Sequence, residues 1–396
     1  MLDLIETLRQ LVAIPSVNSM GQAGLQGEPA EARLTEYLEH LFSELGVPAV
    51  RQSVEPGRDN IFARIEGTGG PGDGKPLILF EAHQDTVPVT GMTIPPWEPT
   101  VRDGRLYGRG SCDTKGGMAA MLFALARLHE ERPRHLPVVV MACTVNEEFG
   151  FSGAKAASEF WREGTSRILP RRPDLGVVAE PTELQVVVAH KGLVRWRCHA
   201  RGRAAHSAAP QAGENAIYRM ARALVAVERY ANEVVATLGS HPLCGTPTLN
   251  VGTISGGVSV NTVPDRATIE IDRRMVPSEK PEAARQHVID YLNREADLGF
   301  ALEHDPPFMT ALPLSDEPNR ALANRLLDAA SAVVRPCAMV GVPYGTDAAF
   351  YASTGVPSVV FGPGSIAQAH TADEWVDLDQ VEKAAEVYYR FVKSFC

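Results

Sequence analysis

Leu77-Ile78-Leu79-Phe80-Glu81-Ala82-His83-Gln84-Asp85 is the stretch on which the fold turns. Its apolar first half predicts a buried strand. The strand runs out into a histidine and a carboxylate two residues apart. At the carboxyl end of a parallel strand, such side chains project into the crevice where α/β proteins bind ligands. His83 offers an imidazole nitrogen to a metal ion. Asp85 is placed to accept the proton of the other ring nitrogen and so fix the tautomer. A lone His-x-Asp equally describes a core histidine with a satisfied partner, so the rest of the chain has to decide.

The rest of the chain supplies more strand-end acids. A strand over 138–144 ends in Asn146-Glu147-Glu148, and one over 176–179 ends in Glu180-Pro181-Thr182. A strand over 358–361 leads through Gly362-Pro363-Gly364-Ser365 to His370. Asp113 lies in the glycine-rich run 108–117, just before a buried helix over 118–129. That run is not a phosphate loop, because it lacks G-x-x-x-x-G-K-[ST] and follows no strand directly. Carboxylates crowded into one crevice repel one another, and a divalent cation relieves the repulsion. Zinc takes imidazole and carboxylate ligands, and two-metal hydrolytic sites hold their ions about 3.5–4 Å apart. With Asp113 as bridge, His83 and Glu180 complete one ion, and Glu148 and His370 the other. Glu147 is left free beside the centre, as a general base must be.

A length of 396 residues predicts at least two domains. Helices are expected over 3–14, 29–46, 316–334 and 378–395, with a surface loop at 67–76. Between them the texture changes. Strands at 186–199, 248–254, 266–275 and 300–304 alternate with helices at 213–237 and 279–296, in the β-α-β-β-α-β order of a ferredoxin-like unit. The expected fold is therefore α/β: a catalytic domain with a mixed, mainly parallel sheet flanked by helices, from 1–185 and 307–396, with an inserted α+β lid at 186–306. The net charge of −10, without a basic stripe, argues against nucleic acid. No apolar run approaches the ~20 residues of a membrane helix. The start, Met1-Leu2-Asp3-Leu4-Ile5-Glu6, does not read as a signal peptide. Cysteines 112, 143, 198, 244, 337 and 396 form no C-x-x-C, which points to a reduced, cytoplasmic setting.

The chain resembles the co-catalytic zinc amidohydrolases and exopeptidases, the M20-type family that includes acetylornithine deacetylase, succinyl-diaminopimelate desuccinylase, aminoacylase and glutamate carboxypeptidase. The resemblance runs through His83-Gln84-Asp85, Gly108-Arg109-Gly110 to Gly116-Gly117, Glu147-Glu148, Glu180-Pro181-Thr182, Gly202 to Ser207, Gly256 to Asn261, and Asp272-Arg273-Arg274. It implies the same ligand roles, Asp113 as bridge, Glu147 as base and a lid that mediates a homodimer. The acetylornithine branch is the most similar, through Glu180 to Gln185 with Ala189-His190-Lys191-Gly192, through Pro247 to Gly252, and through Gly362 to His370. Tyr344-Gly345-Thr346-Asp347 is closer to the wider family's pattern. The implied reaction is hydrolysis of N2-acetyl-L-ornithine to ornithine and acetate. The alternatives are a dipeptidase, carboxypeptidase or desuccinylase on the same scaffold, and an inactive metal-binding homologue. The intact Glu147 and ligand set argue against the last. Zinc is the expected metal, and cobalt and manganese tolerate the same donors.

A substrate carboxylate needs a cation. In the strand at 268–275, Glu270, Asp272 and Arg274 share one face and Ile269 and Ile271 the other. Arg274 is therefore the expected clamp, with Asn261 beside it. Gly364 and Ser365 are expected to bring backbone amides close to the substrate. Asp85 joins the catalytic set through His83. His206, in Ala205-His206-Ser207, is the candidate donor to the oxyanion. The family resemblance implies that it arrives from the lid of a partner subunit.

Overall fold

A computed structural model describes residues 2–20, 31–68, 74–164, 166–294 and 296–396. Positions 29–30 of the expected first-domain helix, 69–73 of the expected loop and 295 of the expected second-domain helix lie outside the described residues. The chain divides into two compact units. One comprises Met1–Val188, Asp316–Val340 and Thr346–Cys396, and the other Ala189–Ser315 with Gly341–Gly345.

The first unit is built on a mixed sheet. Its strands lie in the order Ala49–Glu55, Arg58–Ile65, Val138–Thr144, Leu77–His83, Leu175–Val178, Ser358–Val360, Val186–His190 and Met339–Val342. The four strands from Val138–Thr144 to Ser358–Val360 are mutually parallel. Register sets the site: His83 lies level with Thr144, Glu81 with Val178, and Val178 with Val360. Four parallel strands thus end at one rim, and each hands its next residues to the same place. Leu77–His83 is buried along its whole length, as a central parallel strand should be. Helices Leu4–Ala13, Gly116–Glu131 and Leu378–Lys393 pack together as one group, and Ser152–Glu163 with Ala348–Ser353 as another. Asp3 caps the first of these by accepting the Glu6 N–H at 2.9 Å, a contact worth about 1 kcal/mol. The far end of that helix is tied to the site: Lys115, buried, donates to the carbonyls of Leu11 and Ile14 at 2.9 and 2.8 Å. The Leu11 carbonyl also accepts the Ile14 N–H at 3.3 Å, so Lys115 reinforces a helix end where carbonyls run short of main-chain partners.

The second unit carries strands Gly192–Arg201, Thr248–Gly256, Arg266–Met275 and Leu302–His304 around helices Ala216–Arg229 and Pro281–Arg294. In sheet order, Thr248–Gly256 is outermost, then Arg266–Met275, Gly192–Arg201 and Leu302–His304. That is the ferredoxin-like arrangement. Its core holds Trp196, Met220, Tyr230, Ile269, Ile271 and Val288. The unit opens at 189 rather than 186 and reaches 315 rather than 306. Met309–Ala311 adds a further pairing to Gly192–Arg201, which keeps 307–315 with this sheet. The strand expected at 186–199 is two strands broken at Lys191. Gly192 marks the break: a Cβ there would stand 2.6 Å from the Ala311 oxygen and the Pro313 nitrogen.

Candidate metal centre

The strand ends and two loops bring six acid and imidazole groups together within the first unit. His83 Nε2 stands 3.1 Å from Asp113 Oδ1 and 3.9 Å from Glu180 Oε1. His370 Nε2 stands 3.3 Å from Asp113 Oδ2 and 3.2 Å from Glu148 Oε2. Each oxygen of Asp113 therefore faces a different histidine. Two groups result, His83–Asp113–Glu180 and Asp113–Glu148–His370, each with its donor atoms within 4.8 Å of one another. Donors placed about 2.0–2.2 Å from a tetrahedral ion stand roughly 3.3–3.6 Å apart, close to the separations of 3.1 to 3.9 Å found here. Glu147 belongs to neither group.

Electrostatics make the same demand. Burial works against a charged His83, yet its bonds to Asp113 and Asp85 hold its pKa well above the imidazole range. His370 is pushed up to about 10 by its bonds to Asp113 and Glu148. Burial and then the Asp113 charge lift Glu148 to about 7. Burial also raises Glu180 and Glu147, with the charges of Asp113 and Glu180 respectively adding to it. Asp113 goes the other way: burial opposes its ionisation, but the bonds from His370 and His83 hold it below the carboxylate range. Without a cation the histidines take up protons in order to balance carboxylates. Two divalent ions would supply that charge directly, and a nitrogen-and-oxygen donor set suits them. The residues fit a two-metal centre.

Asp85 meets His83 with two groups. His83 Nδ1 donates to the main-chain carbonyl of Asp85 at 2.9 Å, and the Asp85 carboxylate lies 3.5 Å from the same nitrogen. A carbonyl only accepts, so the carbonyl fixes the proton on Nδ1 and frees Nε2 for an ion. The Asp85 carboxylate also accepts the amides of Glu147 and Glu148 at 3.0 and 3.1 Å, and Asn18 Nδ2 at 2.7 Å. Asn18 also donates to Asn146 Oδ1 at 2.8 Å. Neither asparagine was legible as part of the site, because each acts through a partner distant in sequence.

Gly364 also differs from expectation. Its amide donates to Gln380 Oε1 at 2.9 Å and its carbonyl accepts from Glu183, so neither group is held out for a ligand. Its φ of +88° and a Cβ that would sit 2.5 Å from Cys112 Sγ explain the glycine. The Ser365 carbonyl accepts from Cys112 Sγ at 3.3 Å.

The other expected residues lie in the second unit. Ala205–His206 pairs with Thr262–Val263, and the Ser207 amide donates to the Asn261 carbonyl at 3.0 Å, so His206 and Asn261 are neighbours. Both are exposed or nearly so. Arg274 shares its strand face with Asp272, which it contacts at 3.0 and 3.1 Å, and Arg195 holds the same carboxylate at 3.0 Å. Arg273 points into the core and pairs with Glu279.

The sequence profile of peptidase family M20/M25/M40 matches residues 79–394. The chain is 33% identical over 337 residues to an acetylornithine deacetylase of Myxococcus xanthus, covering 83% of this chain and 82% of that one. It is 31% identical to an acetylornithine deacetylase of Pectobacterium carotovorum, over 99% and 97% of the two chains. The structure overlays the crystal structure of aminopeptidase PepT from Bacillus cereus with a TM-score of 0.76 at 23% identity, covering 99% and 98%. That likeness speaks for the fold. On the profile match and these identities, the chain belongs to peptidase family M20/M25/M40, hydrolases of the amide bond.

Proposed function

We propose that this chain removes the acyl group from N-acyl amino acids, with N2-acetyl-L-ornithine as its substrate and ornithine and acetate as products, a step of arginine biosynthesis. The carrying observation is the disposition of Asp113 and Glu147. Asp113 turns one oxygen to each histidine, while Glu147 sits beside both groups and belongs to neither. The names of the deacetylase relatives support the substrate.

His83, Asp113 and Glu180 would hold one zinc ion, and Asp113, Glu148 and His370 the other. Bound there, the ions would polarise the scissile carbonyl and make water acidic enough to give up a proton near neutral pH. Glu147 takes that proton as water attacks the carbonyl carbon, then returns it to the nitrogen as the carbon–nitrogen bond breaks. Burial raises the affinity of Glu147 for the proton it must carry between the two steps. His206 donates to the oxyanion, with Asn261 beside it. Arg274 binds the substrate carboxylate and would exchange its Asp272 partner for that group. Ser365 would bring its backbone amide to the substrate.

The second unit serves as lid and as the contact of a homodimer. Thr248–Gly256 is the outer strand of its sheet, and Tyr218 and Val225 on the adjoining helix are 71% and 58% exposed. An open edge beside exposed apolar side chains favours a second copy. Among the described residues no helix is long and apolar enough to cross a membrane, and no two of the six cysteines form a disulfide.

A substrate panel tests the assignment. Zinc-loaded protein should give a higher kcat/KM for N2-acetyl-L-ornithine than for N2-succinyl amino acids or dipeptides. Preference for a dipeptide would make the chain a dipeptidase on the same centre.

A further inference from the structure

Behind the centre lies a second, fully buried ion pair that the proposed chemistry does not use. Glu374 and Arg109 are 1% and 2% exposed and 265 residues apart in sequence, and Arg109 Nη1 donates to Glu374 Oε2 at 2.7 Å. Both Glu374 oxygens are doubly engaged. Oε2 also accepts the Gly110 amide at 3.0 Å, and Oε1 accepts the amides of Cys112 and Asp113 at 2.9 and 3.1 Å. One carboxylate thus gathers three amides of the loop that ends in the shared ligand. Gly110 permits this, with φ of +81° and Thr86 Cγ2 only 2.7 Å from where a Cβ would stand.

Arg109 extends the tie in two more directions. Its Nη1 donates to the carbonyl of Thr371, the residue after His370, at 3.3 Å, and Nη2 to the carbonyl of Pro88 at 3.2 Å. The Glu374 carbonyl accepts the Gly108 amide at 3.0 Å, and Trp375–Asp377 then pairs with Arg105–Tyr107. This pair therefore joins the His370 loop to the Asp113 loop, beside the Cys112–Ser365 contact and the main-chain bonds of Gly108 and Arg105–Tyr107. His83 and Glu180 stand at or just beyond the end of a sheet strand, and Glu148 is held by Asp85 through its amide at 3.1 Å.

We propose that Arg109 and Glu374 are positioning residues that set the distance between Asp113 and His370, and so the affinity of the ion held by Asp113, Glu148 and His370. A buried ion pair is weak evidence for stability by itself. Its bonds to three loop amides and to the residue after His370 give it a role at the centre instead. Partners that orient ligands from behind typically change metal affinity 10–100-fold when altered.

This inference rests on the two-metal reading, so both are measured together. Metal-free protein is titrated with zinc by calorimetry, and bound zinc per chain is counted by mass spectrometry. Glu374→Gln keeps the shape but turns a donor toward amides that need an acceptor. It should weaken one of the two zinc ions by about 10–100-fold and leave the other within about threefold. Saturating zinc should restore kcat with KM unchanged, which a merely loosened fold would not do. His370→Ala on the Glu374→Gln background should remove the weakened ion and leave the tight one. Unchanged affinity for both ions in a folded Glu374→Gln chain overturns the proposal, as does weakening confined to the ion that survives His370→Ala. If Glu374→Gln does not fold, Arg109→Lys takes its place, since it keeps the charge and loses the fork to Thr371 and Pro88. The same selective loss is expected there, and unchanged affinities overturn the proposal equally. A wild-type chain that binds fewer than two ions would instead refute the two-metal reading beneath it.

Discussion

The carboxylate of Asp85 accepts the main-chain N–H of Glu147 at 3.0 Å, so the residue two positions beyond the proposed ligand His83 holds the backbone of the proposed base. The same carboxylate takes the Glu148 amide at 3.1 Å. Asp85 therefore aligns base and ligand together, while its own carbonyl holds the His83 ring. Asp85→Ala should lower kcat and metal affinity, each by about 10–100-fold. Asp85→Asn, which retains one acceptor oxygen, should fall between that variant and wild type. Equal loss in both variants, read from kcat and from bound metal, would show that the carboxylate's charge matters rather than its acceptor geometry.

Glu147 and Glu148 are adjacent in sequence but separate in role. Glu147→Gln should cut turnover by about 10²–10⁴-fold, the range for a lost general acid–base group, with metal content unchanged. Glu148→Gln should release metal. Metal analysis beside steady-state kinetics distinguishes them, and the opposite pattern would reverse the assignment.

His206 is argued to act from a partner subunit. His206→Ala should keep its metals and lose about 10²–10³-fold in turnover, as for a missing oxyanion donor. Mixed with Glu147→Gln and allowed to exchange subunits, it should regain activity, because one site in each hybrid dimer has both residues intact. If exchange is demonstrated and no activity returns, His206 does not act across the dimer.

Acid should weaken the second unit. Burial lowers His190 to about 4 in the folded chain, against an unfolded value near 6.5. Between these pH values the unfolded chain binds the extra proton, so stability falls as pH falls from 6.5 to 4 and the contribution is flat outside that window. The full loss is about 3 kcal/mol for this one buried group. Urea unfolding of zinc-loaded wild type and His190→Gln across that window should show a shallower slope for the variant. Parallel slopes would mean that His190 does not carry the effect.

Much of the centre was legible because it hangs from strand ends. Apolar runs at 77–80, 138–143 and 176–179 mark the strands, and the polar residues that follow each run mark the rim. What sequence could not give are the contacts that cross the chain. Asp85 is legible as a partner of its near neighbour His83, but not as the acceptor of amides 62 and 63 residues away. Nothing local marks Arg109 and Glu374 as a buried pair, because 265 residues separate them. The hairpin Ala49–Glu55 and Arg58–Ile65 was missed because its first strand is half exposed and charged residues surround the turn. Alternation alone places Arg274 and Asp272 on one strand face, but it does not tell that Asp272 pairs with that arginine.

The account stands most directly on Asp113 as the ligand shared by two ions. The measurement is bound metal per chain, by mass spectrometry of zinc-loaded protein, for wild type and for a folded Asp113→Ala variant. The account predicts two ions in the wild type and weakened retention of both in the variant, because each group loses a donor. A wild type holding a single ion, or a variant that loses one ion and keeps the other at wild-type affinity, would contradict it.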